Sequence, residues 1–107
     1  MGLPQDEYDR LMKDYKEALV NIFAEIEKAI EDLKHSPSKE NMKELHLFVH
    51  RFAGNSGTYG YMKASGILRL WEQELIQLLE NYMEGILGKP FFNRQIELLS
   101  QVRHAIK

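Results

Sequence analysis

From Gln5 to Lys34 the residues Tyr8, Leu11, Tyr15, Ala18, Leu19, Ile22, Ile26, Ala29, Ile30 and Leu33 recur at steps of three and four, the spacing that lines one face of an α-helix. One long amphipathic helix is predicted. The stretch His35-Ser36-Pro37-Ser38 ends it, because a residue before proline is biased away from helical backbone. Ser36 is the expected N-cap and Pro37 the first helical position of a second helix, which runs to Phe52 or somewhat beyond. Gly54, Gly57 and Gly60 then loosen the chain. Ala64, Ile67, Leu68, Trp71, Leu75, Leu78, Leu79 and Tyr82 mark a third helix from Tyr61, which Gly85 and Gly88 are expected to terminate. A fourth begins near Pro90, with Phe91, Phe92, Ile96, Leu99, Val102 and Ile106 as its stripe. Arg103 and Lys107 fall near its end, where the helix dipole favours cations. No segment reads as a strand. The expected fold is all-α, an antiparallel four-helix bundle forming a single domain over residues 1–107, because each stripe needs cover and the neighbouring helices are the nearest source.

On the second helix, Leu45, Phe48, Val49 and Phe52 cluster toward the core, and His50 projects from roughly the opposite side. Lys43, His46, Leu47, Ala53, Gly54 and, if the helix continues, Gly57 share its face. Beyond the histidine this face is nearly bare. A bare face lets another protein bring a reactive group close to the imidazole.

Composition narrows what such a histidine does. The 107 residues allow one core, and a formal charge of −2 gives no broad basic field, so neither nucleic acid nor an anionic membrane is an expected partner. With no cysteine, disulfides, thiolate metal sites and cysteine nucleophiles are excluded. No apolar run approaches the roughly 20 residues of a membrane span, and a cytoplasmic location is expected. Neutral imidazole is a nucleophile near neutral pH. The face around His50 supplies no general base, oxyanion donors or metal to complete an independent catalytic site, so a partner must bring them. Phosphoryl transfer suits that division, since it depends on in-line positioning and on charge neutralisation by a metal ion and cations.

The run His50-Arg51-Phe52-Ala53-Gly54-Asn55-Ser56-Gly57-Thr58-Tyr59-Gly60 resembles the signature of histidine-containing phosphotransfer (HPt) domains. There a phosphorylatable histidine precedes a hydrophobic residue, a lysine or small residue, and a glycine. Ala64, Ile67, Leu68 and the Trp71-Glu72 pair resemble the family's following helix, and the resemblance extends over nearly the whole chain. It implies a four-helix bundle with His50 as phosphoacceptor and Gly54 as clearance for a receiver domain. The partners it implies are a response-regulator receiver domain, a hybrid sensor histidine kinase, or both. The chain would be a monomeric carrier rather than an autonomous kinase, with no cofactor of its own and Mg²⁺ held by the receiver. Ala53 stands where many members carry lysine. Arg51, Lys43 and Lys63 are the nearby cations that could replace that charge, Arg51 lying about 100° around the helix from His50.

Three other readings compete. His46 and His50, at the i, i+4 spacing, could hold a transition metal with Glu44 or Glu72 as further ligands, although no His-Glu-x-x-His motif is present. An HPt-like scaffold could bind a receiver or kinase domain without accepting phosphate. An unrelated bundle could dimerise through an apolar surface. Trp71, Phe91 and Phe92 read as core aromatics, His35 and His104 as exposed, and the acidic residues Glu72, Glu74, Glu80 and Glu84 as a solvated face.

Overall fold

A computed structural model describes residues 5–106, the side chain of Glu84 excepted. Four helices follow one another: α1 (Gln5–His35), α2 (Lys39–Thr58), α3 (Met62–Glu80) and α4 (Lys89–Ile106), with a single 3-10 turn at Glu84–Ile86 before the last. No strand occurs among the described residues. The chain is a four-helix bundle. α2 lies along α3, α1 packs on α2 and α4 on α3, while the backbones of α1 and α4 approach each other at few points. The core is made of residues such as Ile26, Leu33, Met42, Leu45, Val49, Phe52, Leu68, Trp71, Leu75, Leu98 and Val102, all essentially without exposed surface.

The helix ends depart from expectation in ways that matter for the site. Ser38, not Ser36, is the N-cap of α2. Its backbone is extended and its hydroxyl accepts from the Asn41 amide at 3.1 Å, while the Ser36 carbonyl accepts from the Asn41 side chain at 2.8 Å. Pro37 therefore lies in the connection. At its other end α2 continues through Gly54 and Gly57 to Thr58. It closes in a Schellman motif, in which Tyr61 N–H donates to the Ser56 carbonyl at 2.8 Å and Gly60 N–H to the Gly57 carbonyl at 3.2 Å. Gly60 occupies the left-handed region there, with φ of 85°. Of the three glycines, only Gly60 loosens the chain; the other two belong to the helix that carries His50.

α3 stops at Glu80, well before Gly85. Asn81 Nδ2 donates back to the Gln77 carbonyl at 3.3 Å, and Ile86 N–H then bonds the Met83 carbonyl to close the 3-10 turn. On α4 the buried stripe takes Gln95 in place of Ile96, which is 56% exposed. Trp71 Nε1–H donates to Gln95 Oε1 at 2.5 Å, and Gln95 Nε2 donates to the Phe91 carbonyl. The indole needs a buried acceptor, and that need displaces an isoleucine from the core. Tyr8 and Leu11, expected on the buried stripe of α1, remain about half exposed, because α1 is about half as long again as its neighbours. Phe48 is half-buried. Arg103, near the end of α4, pairs with Glu27 of α1 and lies over the Phe23 ring; Lys107 lies outside the described residues.

Candidate functional site

His50 lies near the middle of α2 with 61% of its side chain exposed, on the side away from Val49 and Phe52. Its ring is not free to turn. Nδ1 stands 2.8 Å from Glu72 Oε1 on α3, a carboxylate only 17% exposed. An ionised carboxylate only accepts, so in a neutral ring this bond calls for the proton on Nδ1 and leaves the lone pair on Nε2. In that tautomer the nucleophilic nitrogen lies opposite the nitrogen that is tied down. Glu72, expected on a solvated face, is instead the group that orients the histidine.

His46 is one turn earlier on α2. Its ring centroid is 6.1 Å from that of His50, and its Nε2 lies 3.7 Å from the same Glu72 oxygen, too far for a hydrogen bond. That nitrogen is buried and has no hydrogen-bond partner. Of the two carboxylates expected as further metal ligands, Glu72 and not Glu44 stands beside the rings. Even so, among the described residues no group of three or more His, Asp or Glu side chains is arranged to hold a metal ion.

Between α2 and α3 a cavity of about 320 Å³ opens beside His50, lined by His50, Ala53, Gly54, Arg69, Glu72 and Gln73. Ala53 forms part of its floor, with only 3% of its surface exposed, so it offers clearance but little contact area. Gly54 is exposed, and a Cβ built there meets nothing within 4 Å. Gly57 is different: a Cβ would lie 3.4 Å from Ser65 Oγ, so it faces α3 rather than open space. Ser65 bridges the two helices, donating to the Ala53 carbonyl at 3.3 Å.

The other residues expected around His50 divide by face. Leu47 is exposed on the histidine's side of α2, and Lys43 is exposed one turn further back. Arg51 lines a separate groove against α1, together with Ile22 and Glu25. Lys63 lines a groove against α4 with Ser100 and His104. Neither long cation borders the His50 cavity. Arg69 does, and helix periodicity within α2 could not have found it, since it approaches from α3. Gly66, at offsets of three and seven from Arg69 and Gln73, continues the same exposed face of α3.

No protein-family model, curated protein or solved structure matches this chain. Among the described residues, no helix is long and apolar enough to cross a membrane.

Proposed function

We propose that this chain is a histidine phosphotransfer module, an antiparallel HPt-like bundle that accepts a phosphoryl group on His50 Nε2 from a receiver-domain aspartate and passes it to another. The observation that carries this reading is the bond between His50 Nδ1 and Glu72, which holds an exposed imidazole in the tautomer whose Nε2 is the nucleophile. The neighbouring surface supports it. Gly54 leaves open space next to the ring, and Leu47 adds an exposed apolar contact for a docking protein.

In the transfer, the Nε2 lone pair attacks the phosphorus of the partner's acyl phosphate. The N–P bond forms as the P–O bond to the aspartyl carboxyl breaks, and the aspartate leaves as a carboxylate. The Nδ1 proton stays on the ring, where the Glu72 carboxylate stabilises the imidazolium that forms. Mg²⁺ and the remaining positive charge come with the receiver, so the chain is a carrier and not an autonomous kinase. A monomer in the cytoplasm fits this role.

The test is incubation with a panel of Mg²⁺-loaded phosphorylated receiver domains, comparing the natural chain with His50→Gln. An acid-labile phosphate that requires His50 is the expected result. If a receiver binds tightly but the chain gains no phosphate from any of them, a scaffold that occupies receivers without chemistry replaces the carrier.

A further inference from the structure

The arginines of α4 are matched to carboxylates: Arg94 to Glu74 and Glu97, Arg103 to Glu27. Arg69 is not. It borders the cavity that holds His50, yet forms no ion pair among the described residues. The one carboxylate lining that cavity, Glu72, is already engaged by His50. Arg69 Nε donates to Ser65 Oγ at 3.4 Å, and Ser65 is tied to the Ala53 carbonyl. This anchors the arginine's stem at the edge of the cavity and leaves its two terminal nitrogens without a protein acceptor among the described residues. An uncompensated guanidinium beside an oriented nucleophile, over a floor of alanine and glycine, is a place for an oxyanion.

We propose that the cavity between α2 and α3 seats the phosphoryl group carried by His50, with the Arg69 guanidinium as its counter-ion and the Gln73 amide as a neutral donor. This rests on the phosphotransfer reading and adds the source of positive charge. Ala53 supplies none, and Arg51 and Lys63 face other grooves. The Glu72 carboxylate, needed to fix the tautomer, also repels an arriving phosphoryl group, and Arg69 offsets that repulsion from the same helix, three residues away.

Phosphoramidate tests this without any partner protein. Nε2 forms the N–P bond as the P–N bond of the donor breaks, and the donor's nitrogen leaves as ammonia. The full chain and its Arg69→Lys and Arg69→Gln variants are followed by ³¹P NMR, with His50→Gln marking the signal of the site. Glutamine keeps a donor for Ser65 and removes the charge; lysine keeps the charge. Arg69→Gln is expected to slow formation of the His50 phosphate about three- to tenfold, the scale of one partly exposed charge-assisted contact. Arg69→Lys is expected to recover most of the rate, and added salt to narrow the gap. Equal rates in the natural chain and Arg69→Gln, or a lysine variant as slow as the glutamine one, overturn the role of Arg69 and leave phosphotransfer standing. If His50 gains no phosphate in the natural chain while other histidines do, both readings fall.

Discussion

Gly54 sits inside a 20-residue helix, at ordinary helical backbone, with open space where a Cβ would go. The fold has no use for a glycine there, and glycine in a helix interior costs roughly 0.5–1 kcal/mol relative to alanine. Gly54→Ala is therefore expected to stabilise the chain by about that amount, read as a higher urea midpoint at unchanged m-value. A destabilised variant would show that α2 meets a neighbour at this point. Gly54→Arg should slow transfer from a receiver domain, because a long side chain beside His50 occupies the space a docking partner needs. At Gly57, three residues on, a Cβ would already touch Ser65, so side chains larger than alanine would press on α3.

Between elements, the polar contacts are long-range in sequence, and this sets what was legible beforehand. The exposed face of α2 followed from its own periodicity, so His50, Leu47 and Gly54 were placed correctly on it. Glu72 reads as part of a solvated face, and only the metal reading sets it beside His46 and His50; its charge pattern on α3 does not show that His50, 22 residues earlier, lies across from it. Arg69 was missed for the same reason. The start of α2 falls two residues later than expected because Ser36 and Ser38 both suit an N-cap and only the Asn41 amide decides between them. Gln95 is the sharpest case. A glutamine one residue from an isoleucine reads as the solvent side, yet it is buried to accept the Trp71 indole proton. Gln95→Leu keeps the volume and removes the acceptor. It is expected to cost about 1–3 kcal/mol, since the indole N–H would remain buried and unsatisfied. Adding Trp71→Phe to Gln95→Leu should cost less than the two single losses together, because the orphaned donor goes with the indole. Simple additivity in urea denaturation would show that the bond contributes no coupling.

At the scale of the molecule, α1 is the outlier. Its 31 residues span about 46 Å at 1.5 Å per residue, close to the 52 Å long axis of the whole protein, whereas α2, α3 and α4 have 18 to 20 residues each. No α1 residue before Tyr15 is buried, and Tyr8, Leu11 and Met12 line a groove with Thr58, Tyr59 and Gly60. Tyr15 thus marks where the bundle takes hold of the long helix. Its ring stacks on Tyr59 at 3.9 Å and near-parallel, with Tyr61 at 5.7 Å, so one α1 side chain clamps the connection that follows the His50 helix. Burial raises the Tyr15 phenol above its ordinary range, against a smaller opposing effect of the Ser56 hydroxyl 3.4 Å away. The sign follows directly. A phenol held neutral by the fold contributes its full stability below its unfolded value of about 10, and that contribution is lost as pH rises through the higher folded value. Tyr15→Phe keeps the stack and removes the ionisation. At pH 8 it should differ from the natural chain by no more than about 1 kcal/mol, because the Ser56 contact is long. From about pH 10 upward the natural chain should lose stability faster than Tyr15→Phe. Urea midpoints of both chains across that range read the difference directly. A difference that stays constant with pH would mean that Tyr15 ionises in the folded chain as readily as in the unfolded one, and that the clamp on α1 leaves its phenol wet.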